Sequence, residues 1–289
     1  MNGLIIVNQE IGHNAYKIRR FEEEFSKMGV SLSTFINDGT LAVVDADKIR
    51  INLPKADFVL YLDKDIYLAR ELEKAGYRLF NKADFIKLCD DKMLTQIGCA
   101  NLGIKMPKTI AGPLIYTKLQ SNSLAFLKQI EKEFGYPLVL KKVYGSLGEG
   151  VFLVNNYEEL ESLYKKLYRE PLLFQEYVSS SFGKSMRVLI IDGKVVDGFI
   201  RYNTKDFRSN FGDSATGKLN VGHKNFLDLA QDIADKLNIE YAGIDFLFGK
   251  DDEPILCEIN SNAFFEEFEK ITSINVAKLF AEMVVRKIK

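Results

Sequence analysis

Three oxygen-bearing side chains lie in two short apolar segments near the end of the 289-residue sequence. Asp245 lies in A-G-I-D-F-L-F, and Glu258 and Asn260 lie in I-L-C-E-I-N-S-N. Carboxylate and amide oxygens suit Mg²⁺, which proteins usually hold with one or two carboxylates beside substrate phosphates. The three residues therefore predict a magnesium site. The alternative for such a triplet alone is a strand-end Asp, a solvated Glu and a turn-forming Asn.

Residue spacing predicts how these side chains come together. Glu258 and Asn260 are two positions apart, so in a strand both point to one face, while Cys257 and Ile259 point to the opposite, buried face. A turn rich in Asp and Gly separates the two segments and predicts a hairpin. Such a hairpin would bring Asp245 alongside the other two residues.

The glycine-rich segment Y-P-L-V-L-K-K-V-Y-G-S-L-G-E-G-V-F-L-V (136–154) is a second candidate site. Glycines let backbone amides approach an anion closely, so the segment predicts two strands joined by a loop that covers phosphates. It lacks G-K-[ST] and is therefore no Walker A loop; a plain hairpin is the alternative. Strand alternation places Lys141 and Lys142 on opposite faces, and we expect Lys141 to face the nucleotide. The candidate loop contacts are Gly145, Ser146, Gly148 and Gly150.

The apolar segment P-L-L-F-Q-E-Y-V (171–178) predicts a strand that ends in polar and aromatic residues. Free backbone groups at this end can hydrogen-bond an adenine edge, and Tyr177 or Val178 can cover its face. A plain core strand is the alternative. The candidate adenine-site residues are Gln175, Glu176, Tyr177 and Val178.

The polar segment D-F-R-S-N-F-G-D (206–213) carries a basic and an amide side chain at alternate positions. Arg208 and Asn210 form a pair that can clamp a phosphoryl oxygen or a developing oxyanion. A solvated loop arginine is the alternative. The functional role is favoured by a predicted strand pair, 185–192 and 194–201, which would carry the loop toward the acidic residues.

Composition argues against nucleic-acid binding and against a metal site built from histidines. The sequence holds 39 basic and 40 acidic residues, which is no electrostatic sign of a nucleic-acid-binding protein. His13 and His223 are too few for a histidine-based metal site. Cys89, Cys99 and Cys257 lack CxxC spacing. Without a signal peptide or a long apolar span, they indicate reduced thiols in a cytoplasmic protein that has no membrane segment.

The first 85 residues alternate short apolar segments with helical patterns. This βαβ order predicts an α/β domain with a small parallel sheet. No G-x-G-x-x-G follows the first strand, so the loop Asn8–Asn14 would serve a ligand other than a dinucleotide. We predict strands at 4–8, 31–35, 58–62 and 78–80 and helices at 15–28 and 66–75, followed by helical stretches at 82–102 and 122–134.

Together, these segments resemble the ATP-grasp ligases, and within them the ribosomal-protein glutamate ligase (RimK) group. The resemblance runs from about Leu79 to Ala281. It is carried by L-F-N-K-A-D-F-I-K-L-C-D-D-K-M-L-T, P-L-V-L-K-K-V-Y-G-S-L-G-E-G-V, L-F-Q-E-Y-V, D-F-R-S-N, A-G-I-D-F and C-E-I-N-S-N. It implies an α/β (α+β) ATP-grasp fold with a Rossmann-like pre-ATP-grasp domain (1–85), a central lid domain (86–177) and a C-terminal ATP-grasp domain (178–289).

The resemblance also implies a role for each candidate residue. Lys92 and Lys141 would contact the ATP phosphates, and residues 175–178 would line the adenine pocket. The acidic triplet at 245, 258 and 260 would hold two Mg²⁺ ions, with Mn²⁺ as an alternative. Arg208 with Arg187 would stabilise the charge that develops during the reaction.

The implied activity is that of an ADP-forming carboxylate–amine ligase. A substrate carboxylate would attack the γ-phosphate of ATP, and an amine would then displace phosphate from the acylphosphate to form an amide. The added group would be an amino acid, with glutamate one candidate, and the acceptor a small molecule, a peptide or a protein tail. The alternative is a regulatory ATP-grasp module that binds nucleotide without ligase turnover. Oligomeric state stays open, with a homo-oligomer as one option.

One departure from the family pattern follows the acidic triplet. The family has a small-Pro-Gly turn after the position of Asn260, whereas this chain has S-N-A-F-F. We therefore expect Phe264 and Phe265 to face the substrate and to set specificity.

Overall fold

The computed structural model describes residues 1–8, 11–211 and 215–289. The predicted binding loops 8–14 and 206–213 are therefore described only in part, since Gln9, Glu10, Gly212 and Asp213 lie outside these ranges. Within the described ranges, the strands form three main sheets and one small hairpin. No helix in these ranges is long and apolar enough to cross a bilayer.

The N-terminal part is the predicted small parallel sheet, and its strand order is β2-β1-β5-β6. Its central strands are buried along almost their whole length, because helices cover a parallel sheet on both faces. A small hairpin, β3-β4, was not predicted. The elements are β1 (Asn2–Val7), α1 (Ala15–Lys27), β2 (Ser31–Ile36), β3 (Ala42–Asp45), β4 (Lys48–Ile51), β5 (Phe58–Leu62), α2 (Ile66–Lys74) and β6 (Leu79–Phe80).

The central part contains two helices and then an antiparallel sheet with strand order β7-β10-β8-β9. One face of this sheet packs on two helices through the buried rings of Tyr164 and Phe174. The elements are α3 (Ala83–Asp90), α4 (Lys92–Cys99), β7 (Thr109–Ala111), α5 (Phe126–Phe134), β8 (Leu138–Lys142), β9 (Val151–Val154), α6 (Tyr157–Leu167) and β10 (Leu172–Glu176).

The C-terminal part is an antiparallel sheet with strand order β13-β12-β11-β14-β15. The predicted hairpin that joins the two acidic segments is present as β14 and β15. The elements are β11 (Lys184–Ile191), β12 (Lys194–Asn203), β13 (Ala215–Leu219), α7 (Lys224–Leu237), β14 (Tyr241–Phe248), β15 (Pro254–Asn260), α8 (Glu266–Thr272) and α9 (Val276–Ile288).

Long-range packing ties the three parts together. The ring of Phe21 on α1 lies 5.5 Å from that of Phe265 and 5.0 Å from that of Phe280 on α9. Helices α3 and α4 pack against β15, and Cys89 and Cys99 share a core with the C-terminal sheet. The domain boundaries at 85 and 177 stay predictions.

Asn81 connects the end of the N-terminal sheet to the strands of the acidic triplet. Its buried Nδ2 donates to the carbonyl oxygens of Tyr241 (2.8 Å), the first residue of β14, and of Ser261 (2.7 Å), the residue after β15. The side chain therefore fixes the position of the triplet relative to the N-terminal part.

We predict that Asn81→Asp lowers the free energy of unfolding by about 2–4 kcal/mol, because both carbonyl oxygens lose a donor and face a buried carboxylate. Urea denaturation measures the change. Asn156→Asp is the matched control: Asn156 caps α6 through its side-chain oxygen, and Asp caps a helix equally well. Equal destabilisation of the two variants would contradict the role of Asn81.

Candidate active site

The three predicted metal-binding side chains meet on paired strands. Asp245 on β14 lies directly opposite Glu258 on β15, and Asn260 follows two residues later. The Asn260 Nδ2 donates to Glu258 Oε1 at 3.1 Å and lies 3.3 Å from Asp245 Oδ2. The hairpin inferred from the sequence therefore brings the three side chains into contact.

The expectation that Cys257 points to the buried face is wrong. The pairing of β14 with β15 shifts after Asp245, so that Asp245 pairs with Glu258 while Phe246 pairs with Leu256. This β-bulge leaves Cys257 without a partner and breaks the alternation of side chains. Cys257 consequently lines the same cleft as Glu258, whereas Ile259 is buried as expected.

Both oxygens of Asp245 are engaged by arginine. Arg187, directly opposite on β11, donates from Nε to Oδ1 at 2.6 Å and from Nη2 to Oδ2 at 2.5 Å, and Arg201 Nη1 lies 3.5 Å from Oδ2. Burial alone would lower the pKa of Arg187, but Asp245 raises it above its usual value. Burial and the neighbouring Arg187 lower the pKa of Arg201 to about 10. Arg187, a predicted catalytic residue, thus holds Asp245.

The surroundings of Glu258 favour its ionised form. Burial opposes its ionisation, but Lys92, the hydrogen bond from Asn260 and the charge of Arg187 together lower its pKa to about 2. Its charge is therefore present throughout the neutral pH range.

The oxygen donors of the triplet fit a divalent cation. Two carboxylates and an amide are the ligand types that Mg²⁺ favours. In the described part of the chain, no cluster of three His, Cys, Asp or Glu side chains could hold a metal, so a cation at this place would also need the amide oxygen of Asn260. Because Arg187 engages both oxygens of Asp245, Glu258 and Asn260 are the more available ligands.

Most of the predicted residues line one cleft between the central and C-terminal sheets, which we call the inner cleft. It has a volume of 120 Å³. Its lining includes Lys92, Lys141, Gly145, Ser146, Gly148, Gln175, Glu176, Tyr177, Val178, Arg208, Asn210, Asp245 and Glu258. Arg187 and Asn260 line an adjoining cavity instead.

The two neighbouring lysines of β8 point in opposite directions, as strand alternation predicts. Lys141 lines the inner cleft, whereas Lys142 Nζ donates to Glu170 Oε1 at 2.7 Å outside it. Lys92 enters the cleft from the start of α4 and donates to the carbonyl oxygens of Val143 (3.2 Å) and Gly145 (2.8 Å). Burial lowers the pKa of Lys92.

The glycine loop is bent over the inner cleft. Gly148 has φ of +75°, and a Cβ there would meet Arg208 Cδ at 3.3 Å. Gly150 lies outside the cleft lining, and a Cβ on it would meet the stem of Lys142 at 2.9 Å. Ser146 Oγ accepts a hydrogen bond from Lys64 Nζ at 3.0 Å, which connects the loop to the N-terminal part.

Arg208 is oriented by its own loop. Its Nε and Nη2 donate to the carboxylate of Asp206 at 2.9 and 2.7 Å, and its guanidinium lies 3.4 Å from the centre of the Phe211 ring. Its Nη1 donates to the carbonyl oxygen of Gly148 at 3.0 Å. Arg208 therefore joins the C-terminal sheet to the glycine loop at the mouth of the cleft.

The predicted adenine-site residues lie at the far end of the inner cleft. Gln175 is buried, and its Nε2 donates to Thr109 Oγ1 at 2.9 Å. Glu176 accepts a hydrogen bond from the backbone of Lys108. Tyr177 also faces the cleft, with its ring in edge contact with Phe207. The pocket wall is thus set by hydrogen bonds within the protein.

A second, larger cavity of 490 Å³, the outer cavity, lies between the N-terminal part and the C-terminal sheet. It meets the inner cleft at shared lining residues, which include Ser146, Arg201, Asn210 and Glu258. Sequence reasoning missed Lys64 and Arg201 in its wall. The signal for Arg201 was a basic residue at the end of the largely apolar segment V-V-D-G-F-I-R; for Lys64 we find none.

The two phenylalanines that depart from the family pattern have different positions. Phe264 lines the outer cavity and is 37% exposed, as expected for a residue that faces a substrate. Phe265 is fully buried against Phe21 and Tyr16, so it contributes to packing and the expectation fails for it.

Comparison with known proteins shows which family this sequence resembles. The family model for the RimK-like ATP-grasp domain matches residues 89–284. Beta-citrylglutamate synthase B of Danio rerio is 30% identical over 260 residues, which cover 86% of this chain and 62% of that protein. Coenzyme gamma-F420-2:alpha-L-glutamate ligase of Methanocaldococcus jannaschii is 32% identical over 219 residues, which cover 74% of this chain and 72% of that protein.

Solved structures show the same fold. The RimK domain ATP-grasp protein of Sphaerobacter thermophilus aligns with a TM-score of 0.73 at 18% identity, over 99% of this chain and 100% of that chain. D-alanine–D-alanine ligase from Bacillus anthracis aligns with a TM-score of 0.73 at 17% identity, over 100% and 98% of the two chains. The fold is therefore the predicted ATP-grasp fold, and the match over most of its length shows that the chain belongs to the RimK-like ATP-grasp family.

Proposed function

We propose that this protein is an ATP-dependent carboxylate–amine ligase that forms an amide bond and releases ADP and phosphate. The observation that carries the proposal is the junction of the two cavities at Arg201, Asn210 and Glu258. A nucleotide in the inner cleft would present its terminal phosphate to a substrate in the outer cavity.

The relatives support a glutamate-containing reaction. Their names describe the synthesis of beta-citrylglutamate and the ligation of L-glutamate. We therefore propose L-glutamate as the first amino acid to test, with a small molecule, a peptide or a protein tail as the partner.

The proposed reaction has two steps. A substrate carboxylate oxygen attacks the γ-phosphorus of ATP, the bond to the β-phosphate oxygen breaks, and ADP leaves. An amine nitrogen then attacks the acylphosphate carbon, loses a proton, and displaces phosphate. Lys92 and Lys141 would bind the phosphates by charge, and Arg208 and Asn210 would stabilise the oxyanion of the second step.

The remaining chemistry is positioning and exclusion of water. Acylphosphates hydrolyse, so the intermediate needs a closed site. The glycine loop is tied to the N-terminal part through Lys64 and to the C-terminal sheet through Arg208. We infer that this loop covers the reacting atoms. Glu258 and Asn260, with Asp245, would hold Mg²⁺, which supplies neutralisation of the phosphate charge.

The test measures ADP and phosphate release by the purified protein with Mg²⁺ and ATP. Single amino acids, amino-acid pairs and a cell extract serve as substrates, and mass spectrometry identifies the products. Substrate-dependent release with a product one water lighter than its parts is the expected result. Tight nucleotide binding without turnover in any mixture would contradict the proposal and favour a nucleotide-binding module.

The two adjacent lysines of β8 provide a test of the proposed nucleotide site and its matched control. We predict that Lys141→Met raises the KM for ATP about 10- to 100-fold, because a charge facing the phosphates is lost. Lys142→Met should change it less than about twofold, because Lys142 pairs with Glu170 on the outer side. Steady-state kinetics measure both values, and similar effects of the two substitutions would refute the assigned orientation.

Glu258 provides a test of the metal site. We predict that Glu258→Gln lowers the rate of Mg²⁺-dependent ADP release at least about 100-fold, because it keeps the side-chain size and removes the charge. Glu253→Gln is the control, since Glu253 pairs with the exposed Lys105 just before β15. The site assignment fails if the Glu258→Gln variant retains the wild-type response to Mg²⁺.

A further inference from the structure

The parallel sheet of the N-terminal part ends in a strand with a free edge. β2 is the outermost strand, and all six of its residues pair with β1 in unbroken register. On its other side, the described residues provide no hydrogen-bond partner for the backbone of β2. A free row of N–H and C=O groups is a template for pairing with another strand.

β2 lacks the features that usually protect such an edge. Proteins block edge pairing with charged side chains, proline, bulges or very short strands. β2 reads S-L-S-T-F-I and has none of these. By contrast, the outer strands β6, β7 and β9 have two, three and four residues, and β13 carries Lys218. β15 starts at Pro254, and its Leu256 N–H donates to the carbonyl oxygen of Lys105.

The side chains of β2 alternate between two faces of the sheet. Leu32 packs against the core that includes α1, and Phe35 packs against the core that includes α2. Thr34 and Ile36 share the α1 face with Leu32, because side chains two positions apart in a strand point the same way. Ile36 is 41% exposed there, which is unusual for a large apolar side chain next to a core.

Two β2 strands are complementary to each other when they pair about Thr34. Directly opposite residues of antiparallel strands point to the same face. With a two-fold axis at Thr34, Leu32 of each copy lies opposite Ile36 of the other, and the two Thr34 side chains meet. With the axis at Ser33, Leu32 would face Thr34 instead. Apolar pairs and Thr–Thr pairs stabilise antiparallel strands, so the sequence favours the axis at Thr34.

Charges at the two ends of β2 are complementary as well. Helix α1 ends at Lys27, which pairs with Glu24 of its own helix but has a side chain that is 65% exposed. Asp38 is exposed just after the strand. Antiparallel pairing about Thr34 places Val30 of one copy opposite Asp38 of the other. The basic end of α1 therefore lies beside an acidic side chain of the second copy.

Pairing of this edge leaves the candidate active site accessible. Asn8, Asp63 and Lys64 follow the carboxyl ends of β1 and β5 and line the outer cavity. The strands of the two copies run in opposite directions, so the two outer cavities lie at opposite ends of the joined sheet.

We propose that two copies of this chain form a symmetric homodimer in which their β2 strands pair antiparallel about Thr34. The two four-stranded sheets join into one sheet of eight strands, and the free edge of each copy is covered by the other. The interface uses one surface patch twice, as a two-fold axis requires.

Analytical ultracentrifugation of the full chain tests the dimer. The wild type should sediment with twice the chain mass of 32.9 kDa. Thr34→Lys places two ammonium groups directly opposite each other, so the dissociation constant should rise at least about fivefold. Thr34→Val, the matched control, keeps a β-branched side chain and should remain dimeric. A wild type that is monomeric up to about 100 μM, or a dimer that Thr34→Lys leaves unchanged, would overturn the proposal.

Cysteine cross-linking tests the register without a disruptive charge. Directly opposite Cα atoms are about 4.5–5.5 Å apart, which suits a disulfide, so Thr34→Cys should give a covalent dimer with oxidised glutathione. Ser33→Cys is the control: each Ser33 lies opposite Phe35, so the two Ser33 Cα atoms are more than about 7 Å apart and should not be linked. Non-reducing gels measure both, with the wild type as the reference for the native cysteines. A covalent dimer from Ser33→Cys alone, or from neither variant, contradicts the pairing about Thr34.

Discussion

The register of three strands is the constraint on which the site depends. Arg187 on β11 lies directly opposite Asp245 on β14, which lies directly opposite Glu258 on β15. Side chains that face one another across antiparallel strands point to the same side of the sheet, so register alone places a cation and two carboxylates in one row. A slip of one residue would turn this row into the core and bury unpaired charges.

The opposite face of the same strands keeps this register in place. Val188, Ile244 and Ile259 alternate with the charged residues and are buried against α7 and the helices before the central sheet. Apolar burial is the main source of stability, whereas a buried ion pair contributes little net free energy because of its desolvation cost. Burial of the apolar face therefore holds the charged side chains in position. A change in the packing of one face would shift the side chains of the other.

The sequence shows local features of this arrangement because they depend on neighbouring residues. Two-residue spacing, turn composition and apolar alternation were enough to place Asp245 beside Glu258 and to distinguish Lys141 from Lys142. The β-bulge at Cys257 was not predicted, because a shift in strand pairing leaves no simple pattern in the sequence of either strand. Three further features were not predicted, because they depend on contacts between residues far apart in the sequence. They are the partner of Arg187, the packing of α3 and α4 on β15, and the wall of the outer cavity.

The contrast between local motifs and long-range contacts explains why proteins that share these motifs need not share a substrate. The residues of the inner cleft come mainly from the motif segments that resemble the family, and they surround the space that we propose for the nucleotide. The outer cavity also takes Asn14, Asp63 and Lys64 from the N-terminal part, which lies outside the matched family region. Substitutions there change the shape and charge of the cavity without disturbing the strand register. In such a fold, phosphate chemistry can stay constant while the choice of carboxylate and amine changes with the N-terminal part.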